Sequence, residues 1–185
     1  MISVVLPCRN EEEGLSDVLD EIDDVLTSYD HEVIVSDSSS DASPRIARQH
    51  GVRLVKHDKN GYGRAIKEGV RAAKGDRILI ADADYTYDFR DAPRLLERDE
   101  SFVIGKRAFD ASNMSLTHRL GNLALSALSN FLFGSAIKDW HCGMRVIDKD
   151  VFDSLNLHTD GMEFASEMII KALRRDIKIS QADIN

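Results

Sequence analysis

Two aspartates separated by one small residue, Asp82-Ala83-Asp84, directly follow the apolar run of residues 77–81. Residues two apart in an extended backbone project to the same side, so both carboxylates are expected to face one site while Ala83 turns away. Paired carboxylate oxygens suit Mg²⁺ or Mn²⁺, which keep coordination positions open for a diphosphate. The spacing therefore predicts a divalent-metal site, and the alternative is a polar turn at a strand end.

A second group of polar residues lies between Asp37 and Asp41, which bracket three serines. A carboxylate there can accept hydrogen bonds from a base N–H or from ribose hydroxyls, and we assign this role to Asp37. Asp41 is expected to support the loop instead. Gly61 and Gly63 flank one tyrosine and permit close approach of the backbone to a ligand, although a simple loop before a helix explains them too.

Five basic residues are expected near the same edge of the fold: Arg9, Lys106, Arg107, Arg119 and Arg145. Anionic substrates need such donors, and arginine can bind phosphate through two parallel hydrogen bonds. Any single arginine can equally be a solvated surface charge. Arg107 and Arg145 are favoured because each lies beside a glycine-containing stretch.

Carboxylates in the second half of the chain complete the candidate set. Asp139 is a candidate general base, whereas the nearby His141 is interpreted as a structural histidine. Glu163 and Glu167 are one helical turn apart and share a face, so they form either a surface pair or part of a site. Of these two, Glu167 is predicted to line the site.

The elements that must position these residues alternate along the chain. Strands are predicted at 2–6, 32–35, 53–56, 77–81 and 101–104, and helices at 11–26, 43–50, 62–73 and 89–98. Strands separated by helices of this length indicate a parallel α/β sheet with helices on both faces. Ligands bind such sheets beyond the carboxyl ends of the strands, where the polar groups fall. Further on, we predict helices at 116–133 and 161–174 and strands at 146–147 and 177–184.

Composition narrows the function classes. The chain has 185 residues with a net charge of -8, which argues against a nucleic-acid partner. No apolar run reaches membrane-spanning length, the first residues resemble a strand rather than a signal peptide, and Cys8 and Cys142 have no zinc-site spacing. We therefore expect a cytoplasmic protein. Aspartates outnumber glutamates, which suggests the hypothesis of a salt-rich cytoplasm.

The motifs together resemble those of family 2 glycosyltransferases with a GT-A fold, and most closely the polyprenyl- or dolichyl-phosphate branch. The family's opening P-x-Y-N-E is similar to Pro7-Cys8-Arg9-Asn10-Glu11, with Arg9 at the aromatic position. Its G-x-G-x-A and D-A-D-x-T-Y are intact as residues 61–65 and 82–87. Its D-D-G-S-x-D is altered, because Ser36 and Ser38 replace the first aspartate and the glycine. Further matches fall at 105–107, 119–122, 139–145 and 161–167 and span essentially the whole chain.

The resemblance implies roles for individual residues. Binding of the nucleotide sugar is implied for Pro7, Arg9, Glu11, Asp37, Gly61, Gly63, Asp82 and Ala83. Asp82 and Asp84 would hold Mg²⁺ or Mn²⁺. Contact with the acceptor phosphate is implied for Arg107 and Arg119, and the acceptor side would be lined by Asp139, Arg145 and Glu167.

The resemblance also implies a reaction. A single GT-A domain, with a nucleotide-sugar part at 1–105 and an acceptor part at 106–185, would transfer a sugar with inversion from a UDP- or GDP-linked donor. The expected acceptor is a polyprenyl or dolichyl phosphate at the cytoplasmic face of a membrane, and the membrane surface is a further candidate partner. Alternatives are a saccharide hydroxyl acceptor and an inactive nucleotide-binding module. Family members usually continue past the final strand, many with membrane helices.

Other enzyme classes fit less well. A nicotinamide oxidoreductase needs a glycine-rich turn after the first strand, and a nucleotidyltransferase is expected to have a glycine-rich basic loop there. Residues 7–11 supply neither.

Overall fold

The protein is described from a computed structural model, which covers residues 1–58, 61–107, 130 and 133–185. Seven strands form one sheet: β1 (Ile2–Cys8), β2 (His31–Asp37), β3 (Arg53–Lys56), β4 (Arg77–Ile80), β5 (Phe102–Arg107), β6 (Arg145–Asp148) and β7 (Ile179–Ile184). The described helices are α1 (Leu15–Leu26), α2 (Ser43–Gln49), α3 (Tyr62–Ala72), the 3₁₀ turn Phe89–Asp91, α4 (Ala92–Leu96), α5 (Lys149–Ser154) and α6 (Phe164–Leu173).

The strand order in the sheet is β3-β2-β1-β4-β6-β5-β7. Among the described strands, only β6 runs against its neighbours, since it pairs antiparallel with both β4 and β5. The remaining pairs, β1–β2, β1–β4, β2–β3 and β5–β7, are parallel. The predicted mostly parallel α/β sheet is therefore confirmed.

Residue patterns explain the central elements. β1 is buried along almost its whole length, as expected for a central parallel strand covered on both faces. α1 buries Leu15, Val18, Leu19, Ile22 and Leu26, which form one stripe at helical spacing. α1 packs on α2, whereas α3 packs on β1 and β2.

The order in which strands are added to the sheet reverses after β3, since β4 lies next to β1 and not next to β3. Right-handed crossovers place α1 and α2 on one face and α3 on the other, because β4 adds on the opposite side of β1 from β2. The carboxyl ends of β1 and β4 thereby form a switch point, the position at which open α/β sheets bind ligands.

Some predicted boundaries differ from the structure. α1 begins at Leu15 rather than residue 11, because the four preceding residues form a turn. The predicted helix at 161–174 begins only at Phe164, and β7 begins at Ile179. The predicted helix at 116–133 lies outside the described residues except for Asn130 and Phe133. Among the described helices, none is long and apolar enough to cross a membrane.

Candidate functional site

A cavity of about 550 Å³ opens at the switch point. Pro7, Arg9 and Glu11 line it from the end of β1. Asp82, Ala83 and Asp84 line it from the segment after β4, and Gly61 and Arg145 also face it. Ala83 does not turn away as predicted, because β4 ends at Ile80 and strand alternation no longer applies to the residues beyond it.

The loop after β1 is held by the serine-rich loop after β2. The backbone N–H of Asn10 donates to Ser39 Oγ at 2.8 Å, and that of Glu11 donates to Ser43 Oγ at 2.9 Å. Asp41 accepts from Ser43 Oγ at 2.7 Å and from the Glu12 N–H at 3.1 Å. Asp41 thus supports the loop, as the sequence indicated.

Asp37 lies beneath the cavity and is fully buried. Its Oδ1 accepts the Ser39 N–H at 3.2 Å, and its Oδ2 is 4.0 Å from Lys56 Nζ. Within the described part of the chain, Oδ2 has no hydrogen-bond partner. The neighbouring Ser38, rather than Asp37, lines the cavity. A buried acceptor of this kind is costly unless a donor meets it.

Asp82 is the most constrained carboxylate of the site. Burial, together with the charge of Asp84, raises the pKa of Asp82 to about 6. Tyr62 lines the same cavity, and burial together with the charge of Asp82 raises the pKa of its hydroxyl. Next to Asp82 lies Gly143, where any Cβ would collide with Asp82 Oδ2. The Gly143 N–H donates to Tyr87 Oη at 2.6 Å, which fixes this close approach.

The two aspartates suit a hard divalent cation. Each raised pKa at this edge reflects burial and neighbouring negative charge, since burial and Asp84 also raise the pKa of Glu11. Bound Mg²⁺ or Mn²⁺ would relieve this repulsion through oxygen ligands. No group of three or more His, Cys, Asp or Glu side chains that could hold a metal occurs within the described ranges. The protein therefore offers a two-carboxylate platform, to which a diphosphate and water can add the remaining ligands.

Arg107 and Asp139 form a bidentate ion pair. Arg107 Nε and Nη2 donate to the two Asp139 oxygens at 2.7 and 3.0 Å, and the pair raises the pKa of Arg107. Neither residue lines the cavity. The neighbouring His141 does line it, and the backbone N–H of His141 donates to Asp139 Oδ1. The predicted base and the predicted phosphate ligand are thus each other's partners. Arg119 lies outside the described residues.

Arg145 differs from the prediction in what it binds. It is almost fully buried and donates to the carbonyls of Cys142, Ala165 and Trp140 at 2.8, 3.0 and 3.0 Å. These bonds join the strand β6 to the start of α6. Three of its five N–H donors are used for the backbone, so the guanidinium at the cavity wall is mainly a structural clamp.

Glu167 and Gly63 do not line the cavity. The Glu167 carboxylate turns instead to the backbone of residues 158–159 and to Lys171. A Cβ on Gly63 would lie 2.6 Å from Phe164 Cβ, so this glycine serves helix packing rather than ligand approach. In both cases the contacts in the structure are packing or backbone contacts that the sequence pattern does not indicate.

Several cavity residues were not assigned from the sequence, among them Tyr62, Gly143 and Met162. Tyr62 was visible between two glycines, but nothing in its spacing indicated a place in the cavity wall. Gly143 precedes β6 and was read only as a neighbour of Arg145. Met162 has 72% of its surface exposed at the cavity edge, a position that no periodicity marks.

Comparisons with known proteins agree with this geometry. The sequence matches Glycosyl transferase family 2 over residues 3–155. It is 35% identical to the low-salt glycan biosynthesis hexosyltransferase Agl6 of Haloferax volcanii over 99% of this chain and 47% of the relative. It is 30% identical to a dolichyl-phosphate hexose transferase of the same organism, over 99% and 81% of the two chains. The chain thus spans about half the length of the first relative.

A solved structure has the same fold. The glucosyl-3-phosphoglycerate synthase of Mycobacterium tuberculosis, crystallised with Mn²⁺, UDP and glucosyl-3-phosphoglycerate, matches with a TM-score of 0.77 at 23% identity. The match covers 100% of this chain and 70% of the other.

Proposed function

The chain belongs to the family 2 glycosyltransferases, and from this we propose that it transfers a sugar from a UDP- or GDP-linked donor to a polyprenyl or dolichyl phosphate. The resemblance to the family and to the GT-A fold, stated from the sequence, is confirmed. The choice of a lipid phosphate as acceptor is supported by the 30% identity to a dolichyl-phosphate hexose transferase.

One observation carries the proposal: Asp82 and Asp84 face the same cavity as the loop after β1, at the switch point of the sheet. That arrangement suits a ligand with a diphosphate between two other groups. Asp82 and Asp84 would hold Mg²⁺ or Mn²⁺, which when bound neutralises charge on the leaving diphosphate. The glucosyl-3-phosphoglycerate synthase of the same fold was crystallised with Mn²⁺ and UDP, which agrees with this assignment.

The nucleoside would occupy the end of the cavity near β1. Pro7 and Arg9 would contact the base, and Glu11 the ribose side. Asp37 stays a candidate partner of the base, but a base N–H would reach its fully buried carboxylate only if the cavity-lining Ser38 moved aside. The segment 1–105 then binds the donor, whereas 106–185 supplies the acceptor side.

The acceptor side favours an ionised acceptor. Both oxygens of Asp139 already accept hydrogen bonds from Arg107, so the carboxylate is not free to face an acceptor hydroxyl. A lipid phosphate is already ionised near neutral pH and needs no strong base. Arg107, joined by Arg119, would instead bind the phosphate and orient its oxygen for attack on the sugar carbon, with inversion. This proposal locates the reaction at the cytoplasmic face of a membrane, where such acceptors are present.

The test is a transfer assay with labelled UDP- and GDP-sugars, offered dolichyl phosphate or a neutral saccharide. Wild type should label dolichyl phosphate. Arg107→Ala should lower that rate by about 100-fold because phosphate positioning is lost. Asp139→Asn retains the shape of the pair without the charge, and we expect it to retain activity within about tenfold.

Two results would contradict the proposal. Labelling of the saccharide alone, with a loss of about 100-fold or more in Asp139→Asn, would indicate a hydroxyl acceptor with Asp139 as its base. Nucleotide binding without any transfer would indicate an inactive module.

A further inference from the structure

The segment 156–163, here called the wall segment, connects α5 to α6 and forms one side of the cavity. Gly161 and Met162 line the cavity from this segment. Two charged side chains outside it hold its backbone, one from α6 and one from α3. Neither of these side chains faces the cavity itself.

Glu167, in the first turn of α6, forms the first tether. Its carboxylate accepts the N–H groups of His158 and Thr159 at 3.0 and 2.9 Å, and the Thr159 hydroxyl at 2.6 Å. Burial alone would raise the pKa of Glu167, but the Lys171 ion pair and these hydrogen bonds outweigh it and lower the pKa to about 2. The carboxylate is therefore ionised and bound to the wall segment at all ordinary pH values.

Lys67, on α3, forms the second tether. Its Nζ donates to the carbonyls of His158 and Thr159 at 3.1 and 2.8 Å and to Asp160 Oδ1 at 2.7 Å. The ammonium group can donate three hydrogen bonds, and all three go to the wall segment. Lys67 and Glu167 thus bind the backbone of the same two residues, His158 and Thr159. Lys67 donates to their carbonyls, and Glu167 accepts their N–H groups.

The start of α3 is fastened to the wall segment as well. The N–H of Gly63 donates to the Gly161 carbonyl at 3.3 Å, and that of Arg64 to the Asp160 carbonyl at 3.1 Å. These are first-turn groups of α3 that have no partner within the helix. Tyr62, the first residue of α3, lies between Gly61 and these two residues and lines the cavity together with Asp82. Backbone hydrogen bonds thus join the wall segment directly to the start of α3.

We infer that Glu167 and Lys67 are positioning residues, which fix the wall segment and the start of α3 so that Tyr62 stays packed in the cavity wall beside Asp82. The inference rests on the proposed function for the identity of the metal carboxylates. Changing a residue that orients a metal-ligating side chain typically lowers metal affinity by about 10- to 100-fold. Glu167 thereby acts through the backbone and Tyr62, without touching a substrate.

The test compares Glu167→Ala, Glu167→Gln and Lys67→Met in the full chain. The matched control is Glu68→Ala: the Glu68 side chain is 15% exposed against 14% for Glu167 and is also ion-paired, but its partners Arg64 and Arg71 lie on its own helix. Two readouts are taken, amide hydrogen exchange of residues 156–163 without ligand, and affinity for UDP and GDP with and without Mn²⁺.

Glu167→Ala and Lys67→Met should speed exchange in the wall segment by about tenfold or more, because local opening becomes easier. Both should weaken the Mn²⁺-dependent part of nucleotide affinity by about tenfold and leave the metal-free part unchanged. Glu167→Gln retains an acceptor oxygen and should recover most of the affinity. Glu68→Ala should change neither readout.

The inference is overturned if exchange in the wall segment stays at the wild-type rate. It is equally overturned if exchange speeds up while Mn²⁺-dependent affinity stays within about twofold of wild type. If Glu167→Ala unfolds globally, amide exchange in β1 will speed up as well. The inference is then judged on Glu167→Gln and Lys67→Met alone. Failure of wild type to transfer sugar contradicts the proposed function alone, since neither readout depends on turnover.

Discussion

At the residue scale, the surroundings of Asp82 decide how the metal edge of the cavity works. Its carboxylate lies against Tyr62 on one side and Gly143 on the other, and burial with the Asp84 charge raises its pKa to about 6. Such a group binds a cation readily once deprotonated, because the cation replaces an unfavourable repulsion. The close contact with Gly143 leaves no room for a side chain at that position.

Gly143→Ala should therefore weaken metal-dependent nucleotide binding. The added Cβ would collide with Asp82 Oδ2 and also lie 3.0 Å from Tyr87 Cε2, so the carboxylate must move. We expect a loss of at least about tenfold in affinity for the nucleotide diphosphate with Mn²⁺. Thermal stabilisation by UDP and GDP, with and without Mn²⁺, measures it.

Gly14→Ala is the matched control. Its Cβ would approach the backbone of Asp84 and Tyr85 Cβ only at 3.8 Å, an ordinary contact. Normal Mn²⁺-dependent stabilisation in Gly143→Ala would contradict the account of Asp82.

The chemistry of single residues was predictable where the residue type is itself the signal. Asp82, Asp84 and Glu11 combine carboxylates with a strand end, and all three line the cavity. The role of Gly143 was not predictable, because only the folded chain brings β6 beside the segment after β4. The pairing of Arg107 with Asp139, 32 residues apart, was hidden for the same reason.

At the scale of elements, the start of α6 is stabilised by the ionised form of Glu167. The pKa of Glu167 is lowered from 4.5 to about 2, so the folded state holds this proton less tightly than the unfolded state. Its contribution to stability is then fully present above about pH 4.5 and is lost as pH falls toward about 2. This loss of stability at low pH is expected for a carboxylate that gains hydrogen-bond and ion-pair partners on folding.

Glu167→Gln should accordingly lower the free energy of unfolding by about 2 kcal/mol at pH 7, less than the full shift implies because solvent partly reaches the side chain. The difference from wild type should shrink between about pH 4.5 and 2. Urea unfolding across pH 3 to 7 tests this. A difference that stays constant over that range would show that the Glu167 charge contributes nothing.

Element order was predictable from the alternation of apolar runs and helical stripes, since each depends on neighbours in sequence. The fastening of α3 to the wall segment was not, because Lys67 and Asp160 are separated by 93 residues. For the same reason the Gly61 and Gly63 pair was assigned to a ligand, although Gly63 meets Phe164. The antiparallel direction of β6 likewise depends on its partners, and a short apolar strand carries no mark of direction.

At the scale of the whole molecule, the net charge of -8 produces self-repulsion. It is concentrated on α1, where Asp17, Asp20, Asp23 and Asp24 are exposed and the last turn has no basic residue. Like charges three and four residues apart destabilise a helix, and salt screens them.

Melting temperature should therefore rise between low salt and about 1 M KCl, where the screening length is about 3 Å. A variant with Asp20, Asp23 and Asp24 changed to Asn should show a smaller rise, because less repulsion remains to be screened. Equal rises in melting temperature for both proteins would show that KCl stabilises the fold without screening the repulsion on α1. No rise in either would contradict the hypothesis of adaptation to a salt-rich cytoplasm.

The central claim is a metal-dependent donor site built on Asp82 and Asp84, and calorimetric titration of UDP and GDP tests it most directly. Titrations of wild type and Asp84→Asn are run with Mn²⁺, with Mg²⁺ and with chelator. We expect one nucleotide to bind wild type at least about tenfold more tightly with metal, and Asp84→Asn to lose this gain. Absence of binding by both nucleotides, or binding indifferent to metal and to the substitution, would contradict it.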